Sequence, residues 1–252
     1  MAGIFFKHVG KTYKDSQEKI EALRSISFDI KEKEFVSIIG PNGSGKTTLF
    51  MLLLGLIKPD SGRVVITPKN SSLGFVFQNY RDSLMPWATV IDNVLLPLEE
   101  SKISKKKKLK LGQRALLEIG LDKFQDFHIY QISGGMSQLV ALARALIINP
   151  EILLLDEPFS ALDYQRSIKM QEMLANIWQK KKMTTLMISH DIDEAIYLSS
   201  KIVILSKRPG TVKDVVGNNL PWPRNFRTRI STQFQQLRSK ILKQIEMDEN
   251  TL

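Results

Sequence analysis

Eight residues constrain this chain more than any other stretch. Gly40-Pro41-Asn42-Gly43-Ser44-Gly45-Lys46-Thr47 fits the pattern GxxxxGK[ST] without a gap. Before it, Glu34-Phe35-Val36-Ser37-Ile38-Ile39 is an apolar, β-branched run that predicts a buried strand. After it, Thr47 to Ile57 is apolar with good helix formers and predicts a helix. Strand, glycine loop and helix form the setting in which backbone N–H groups turn inward and converge on phosphate oxygens. The helix N-terminus adds partial positive charge, Lys46 adds a full one, and the Thr47 hydroxyl suits Mg²⁺. A glycine-rich turn with a chance lysine would explain the loop but not its flanks. The stretch predicts a nucleoside triphosphate site.

A chain of 252 residues holds one substantial domain, or a core with a subdomain. No apolar run approaches the roughly 20 residues of a membrane span, and the start Met1 to Lys7 is too briefly apolar for a signal peptide. With no cysteine, disulfides, thiolate metal sites and cysteine nucleophiles are excluded. The net charge of +10 is uneven: from Ser101 to Lys123 eight Lys or Arg face two Asp or Glu, centred on Lys105-Lys106-Lys107-Lys108. That window reads either as a solvated helix face or as an attraction to nucleic acid or anionic lipid. It holds no aromatic residue on which a base would stack.

Ile4 to Val9 predicts a first strand, Lys14 to Lys19 a hairpin loop, and Ala22 to Ile30 a half-buried second strand, together an antiparallel sheet beside the phosphate-binding core. Tyr13, upstream of the glycine loop, is placed either to stack on a base or simply to pack. Lys58 to Gly62 predicts a turn, Arg63 to Thr67 and Leu73 to Phe77 predict strands, and Gln78 ends the second of them. From Asn79 to Ile148 strand patterns vanish and helical runs appear at Val90–Leu96, Ser104–Ile119 and Gly134–Ile148. Further on, strands are expected near 151–157, 184–188, 202–205 and 211–216, with helices over 164–180, 191–198 and 229–245. This alternation predicts a mainly parallel sheet, an α/β core over 1–78 and 151–216, a helical insertion over 79–150 and a helical extension over 217–252.

Ile152-Leu153-Leu154-Leu155 ends in Asp156-Glu157. A buried strand holds a carboxylate rigidly, so Asp156 suits Mg²⁺ or its water ligands, and Glu157, pointing elsewhere, suits activation of a water. Ile132-Ser133-Gly134-Gly135-Met136-Ser137-Gln138 offers a serine hydroxyl and glycine amides where a long helix begins. It reads either as an ordinary serine cap or as a second anion cradle, directed at another subunit's nucleotide.

Together these residues resemble the ATP-binding subunit of an ATP-binding-cassette transporter, a P-loop NTPase, over nearly the whole chain. Gly40 to Thr47 looks like the Walker A loop, Ile152 to Asp156 the Walker B strand, and Gln78 the Q-loop glutamine. Ile132 to Gln138 resembles the signature, Ser160-Ala161-Leu162-Asp163 the D-loop, and His190 the H-loop histidine. The stretches Gln78 through Met85-Pro86-Trp87-Ala88-Thr89-Val90 to Val94, Ser133-Gly134-Gly135-Met136, Ser189 to Ala195 and Ser206 to Gly210 are similar to importers of nitrate, sulfonates, taurine and related solutes. Ile132 stands where leucine is usual, and Ser137 and Leu139 where that branch usually has basic residues.

The resemblance implies ATP held by Tyr13, Gly40, Pro41, Asn42, Gly43, Ser44, Gly45, Lys46, Thr47 and Thr48. It implies Mg²⁺ on Thr47, Gln78 and Asp156, catalysis by Glu157, His190 and Lys46, and a D-loop role for Asp163. Ser133, Gly134, Gly135 and Gln138 would act across a head-to-tail homodimer that sandwiches ATP. The implied setting is peripheral, on the cytoplasmic face of the inner membrane, with transmembrane permease subunits as partners and a solute-binding protein as an indirect one. Pro86-Trp87 reads as a contact with the permease or as helical-subdomain core. Two rivals remain: a cassette ATPase acting on nucleic acid, supported only by the basic window, and a regulatory subunit that binds ATP without turnover, against which Lys46, Asp156, Glu157 and His190 speak.

Overall fold

The computed structural model of the chain describes residues 3–14, 19–160 and 162–246. The core of the expected hairpin loop and Ala161 of the D-loop lie outside them. Nine strands are described: β1 (Gly3–Lys14), β2 (Lys19–Ile30), β3 (Phe35–Ile39), β4 (Ser61–Thr67), β5 (Leu73–Val76), β6 (Ile152–Asp156), β7 (Thr184–Ile188), β8 (Lys201–Leu205) and β9 (Val212–Gly217). The helices are α1 (Lys46–Leu53), α2 (Tyr80–Ser83), α3 (Val90–Leu95), α4 (Lys105–Glu118), α5 (Gly134–Leu146), α6 (Tyr164–Lys181), α7 (Ile192–Leu198), α8 (Phe226–Arg229) and α9 (Thr232–Glu246).

Six strands form one sheet in the order β5-β6-β7-β3-β8-β9, parallel except for antiparallel β9. The central strands are buried almost throughout, because both faces are covered, and are apolar except at Ser37, Asp156, Thr184, Thr185 and Lys201. Their side chains alternate between two cores. Phe35, Ile39, Leu153, Leu155, Met187, Ile202 and Ile204 face the core shared with α5, α6, α7 and α9. Val36, Ile38, Ile152, Leu154, Leu186, Ile188, Val203 and Leu205 face the other, where α1 and the antiparallel sheet β2-β1-β4 pack. A one-residue slip in any of these strands would exchange its two faces, so register is strongly specified.

Two helix expectations need correction. The helix after the glycine loop stops at Leu53, not Ile57, although the apolar run continues. Gly55 adopts φ +72°, and the Leu56 N–H turns back to the Met51 carbonyl at 3.0 Å, a left-handed helix ending that hydropathy does not reveal. The expected helix over 229–245 is divided into α8 and α9. At the division the Ser231 hydroxyl donates to the Thr228 carbonyl at 2.7 Å and accepts the Phe234 N–H at 3.3 Å, ending one helix and opening the next.

The extension after β9 is fastened to α7 by a buried arginine. Arg224 Nη1 donates to the carbonyls of Ile196 (2.8 Å), Tyr197 (3.0 Å) and Ser199 (2.8 Å), which the helix end leaves without partners. Its guanidinium stacks on Trp222, 4.1 Å from the ring centroid. Burial pushes the Arg224 pKa down to about 10, so it remains charged at neutral pH. Arg224→Ala takes this donor from the Tyr197 carbonyl and leaves those of Ile196 and Ser199 to Asn218 alone, and we expect it to lower the stability of the full chain by about 3 kcal/mol, read as the shift in its urea unfolding curve.

Candidate nucleotide site

Residues far apart in sequence meet at the carboxyl edge of the parallel strands. The glycine loop follows β3, Gln78 lies just beyond β5, Glu157 follows β6, and His190 lies just beyond β7. Because β5, β6, β7 and β3 are neighbours in that order, their C-terminal loops form one continuous rim. Such edges are the usual ligand crevices of open α/β sheets.

The glycine loop is packed from behind by β2. Gly45 caps α1 at φ +88°, and a Cβ there would lie 2.4 Å from Leu23 Cδ2 and 2.9 Å from the Ala22 carbonyl oxygen. Only glycine permits both the left-handed turn and this close approach. Lys46 is almost fully buried and its Nζ donates to the carbonyls of Gly40 (2.8 Å) and Pro41 (3.0 Å). Burial lowers its pKa, while Glu157 and Asp156 oppose that shift. The ammonium thus lies curled over its own loop, in reach of a phosphate that would draw it away. The Ser44 hydroxyl is completely buried without a hydrogen-bond partner, as a donor meant for a bound anion would be. Tyr13, Asn42, Gly43, Gly45, Lys46, Thr47, Thr48, Gln78 and Glu157 line one pocket here. Tyr13 Oη lies 3.3 Å from Thr48 Oγ1, which anchors the tyrosine by its hydroxyl and leaves the half-exposed ring at the pocket wall.

Opposite the loop stand the carboxylates. Asp156 is buried, and its pKa rises to about 6, chiefly through burial and next through Glu157, with Lys46 opposing. Glu157 adopts φ +46°, rare for a residue with a side chain, and its N–H donates to the Ile188 carbonyl at 3.0 Å. That turn sends its carboxylate to two partners: Gln78 Nε2 donates to Glu157 Oε2 at 3.0 Å, and His190 Nδ1 lies 3.3 Å from the same oxygen. Gln78 and His190 are therefore both tied to the expected base.

The signature is separate. Ser133 is exposed, caps α5 and accepts the Met136 N–H at 3.4 Å; none of Ser133, Gly134 or Gly135 lines the glycine-loop pocket. Gln138 departs from expectation. It is buried, and its Nε2 donates to the Pro158 carbonyl, so it braces the chain after Glu157 and does not face a partner. Along a helix, Gln138 lies more than a turn inside the Ser133 cap, on the face turned to the core. Ser137 is also buried and Leu139 packs against the core, so the branch departures there alter packing and leave the exposed cap unchanged. Asp163 is exposed, caps α6 through the Arg166 N–H at 3.1 Å and pairs with Arg166 Nε at 3.2 Å. Trp87 is 75% exposed, which removes the core reading of that residue.

Sequence reasoning missed Arg208 as a pocket residue, along with the backing by Ala22 and Leu23. Arg208 lies in a stretch already singled out, but only tertiary contact brings it to Gly43. It also missed Glu194, a buried carboxyl in the first turn of α7. Burial pushes Glu194 up to about 7, with the Ser189 hydrogen bond opposing and the Asp191 charge adding to the rise.

An α/β sheet with a phosphate loop, a strand-end carboxylate pair and a serine-capped helix inside a helical insertion is the arrangement of a cassette ATPase. The ABC transporter family profile matches residues 23–160, and the chain belongs to that family, as its ATP-binding and ATP-hydrolysing subunit. The aliphatic sulfonates import ATP-binding protein SsuB of Bacillus thuringiensis subsp. konkukian is 43% identical over 249 residues, 96% of each chain. An uncharacterized ABC transporter ATP-binding protein of Methanocaldococcus jannaschii is 41% identical over 241 residues, 94% of this chain and 88% of its own. Among solved structures, a dimeric bacterial ABC transporter cassette matches with a TM-score of 0.76 at 34% identity, over 88% of this chain and 100% of the other. A post-hydrolysis cassette bound to ADP and Pi matches at 0.75 and 34%.

Proposed function

We propose that this ATPase powers the import of a small anionic solute, with aliphatic sulfonates the leading class. The support is the likeness to proteins named for sulfonate import over nearly the full chain. Among the described residues no helix is long and apolar enough to cross a membrane, so the pathway would belong to permease subunits. Exposed Trp87 and Tyr130 suit a permease contact, since aromatic side chains anchor interfaces. The subunit would lie peripherally on the cytoplasmic face of the inner membrane, meeting a solute-binding protein only through the permease. Purifying the permease that accompanies the chain and measuring ATP-dependent uptake of an alkanesulfonate, nitrate and taurine into vesicles tests this reading. Uptake of none of them overturns it.

We read the catalytic roles as follows. Lys46 leaves the Gly40 and Pro41 carbonyls for the β- and γ-phosphates, and the Ser44 hydroxyl and loop amides complete the cradle. Tyr13 stacks on the base, and Thr48 holds its hydroxyl. Among the described residues no group of three His, Asp or Glu could cage a metal alone. Mg²⁺ commonly takes one or two protein carboxylates and completes its shell with phosphate and water. Thr47, Gln78 and Asp156 fit that sparse donor set, and the metal would supply neutralisation of phosphate charge. Glu157 takes the proton of the attacking water, while Gln78 and His190 orient its carboxylate and His190 reaches the γ-phosphate. Ser133 and Gly135 close the site from a second copy, and Asp163 lies at the same interface. The core over 1–78 and 151–216 thus carries the nucleotide, and the helical part over 79–150 carries the cap.

The basic run takes no part in this chemistry. Lys105, Lys106 and Lys107 are exposed on the first turn of α4, a place where the helix dipole disfavours cations. Changing Lys105, Lys106, Lys107 and Lys108 to Gln should leave basal ATP hydrolysis within about twofold, because surface charges distant from the phosphates are screened by salt. Salt-resistant, ATP-dependent DNA binding that the change abolishes would favour the nucleic-acid reading instead.

A further inference from the structure

We propose that Glu194 is a positioning residue for ATP hydrolysis, holding the Ser189 hydroxyl that brackets His190. The inference rests on the reading of His190 given above. His190 is itself loosely held: its side chain is 58% exposed and touches Glu157. What fixes the imidazole is therefore the backbone on either side of it. On one side the Ser189 N–H donates to the Ile38 carbonyl of β3 at 3.1 Å. On the other, the Asp191 N–H donates across the histidine to Ser189 Oγ at 3.0 Å. One hydroxyl thus closes a small loop with His190 at its tip.

That hydroxyl has a single proton to donate. Glu194 Oε2 lies 2.7 Å away and the Asp191 carbonyl 3.3 Å away, so the carboxyl is the preferred acceptor. The donation fixes the rotation of the hydroxyl, and its lone pair then meets the Asp191 N–H. Without Glu194 the proton turns to the Asp191 carbonyl and the lone pair swings away from the N–H it was accepting.

Glu194 is held from behind as well. Gln171 Nε2 of α6 donates to Glu194 Oε1 at 3.1 Å, and Ser167 Oγ lies 3.4 Å from the same oxygen. The Gln171 carbonyl in turn accepts from Arg229 Nη2 of α8, and that guanidinium stacks on Tyr197, 3.7 Å from the ring centroid. A buried carboxyl with no cationic side chain among its hydrogen-bond partners is costly to keep. Its partners from behind both lie on α6, the C-terminal extension holds one of them in turn, and Glu194 passes this support to the turn that carries His190.

Glu194→Ala in the full chain should lower kcat by about tenfold or more, since small displacements of a catalytic group are expensive in rate. The KM for ATP should stay within about twofold, because the phosphate cradle is not touched. Glu194→Gln, which keeps an acceptor for Ser189, should retain most of the rate. Ser189→Ala, which leaves Glu194 with Gln171 and Ser167 as partners, should reproduce the loss and add little to Glu194→Ala.

In a His190→Ala background, removing Glu194 should change the residual rate by less than about twofold, as expected when one residue acts through another. The chain has three histidines, so imidazole NMR provides a second readout: Glu194→Ala should move the His190 signals and leave those of His8 and His128. Equal loss in both backgrounds, an unchanged His190 signal, or full activity of Glu194→Ala each overturns the proposal. Full activity of His190→Ala instead overturns the reading of His190, and the proposal with it.

Discussion

Glu157→Gln will bind ATP and fail to turn it over, with a loss of about a hundredfold or more in rate. The carboxylate follows the buried Asp156 on a backbone held in the left-handed region with its N–H on Ile188. There it collects Gln78 and His190 on one oxygen, leaving the other for a water. Glutamine keeps the shape and hydrogen-bonding length of the side chain but cannot take a proton. Asp156, Lys46 and the glycine loop are unchanged, so ATP is still held, and two copies should remain closed around it. Size exclusion with ATP should therefore show a dimer where the parent returns to monomer as it hydrolyses. Hydrolysis by Glu157→Gln at near the parental rate removes Glu157 from the role of base.

The second large effect concerns the shared site. Ser133 is exposed, caps its helix and lies outside the glycine-loop pocket of its own chain, so the two cradles are expected to meet only between copies. Homodimers of Lys46→Ala have both sites damaged at the phosphate. Homodimers of Ser133→Arg have both blocked by a bulky cation at the cap. In the mixed dimer both lesions fall in one site and the other is intact. Mixing the two inactive variants should restore ATP occlusion at one site per dimer, from essentially none in either alone. Occlusion is the readout of choice because hydrolysis can require both sites together. Subunit exchange without restored occlusion shows that the nucleotide is not shared.

Much of this was legible in the residues themselves. The phosphate loop has to be contiguous, because its amides must curl around one anion, and its glycines and lysine stand together in the chain. The carboxylate pair is equally local, since a buried strand announces itself as an apolar run and its end as the first charge. The central strands were placed to within a residue or two because both faces of the sheet are covered and their sequences carry no competing pattern.

What remained hidden depended on direction and on long-range neighbours. The apolar run past Leu54 outweighed the one stop signal there, Gly55, which turns left-handed and ends α1. The sequence near Gln138 reads as part of a signature, yet one helical turn carries that side chain from the exposed cap into the core, onto the Pro158 carbonyl. Glu194 looks like any acid in the first turn of a helix until α6 closes over it. The strand order decided most of all. Gln78, Glu157 and His190 each stand in a short polar stretch at the end of an apolar strand. They act on one another because hydrogen bonding across the sheet sets β5, β6 and β7 side by side with their ends level. Chemistry that needs contiguous backbone is written locally in the chain, whereas chemistry that needs side chains from several strands is settled only when the sheet is assembled.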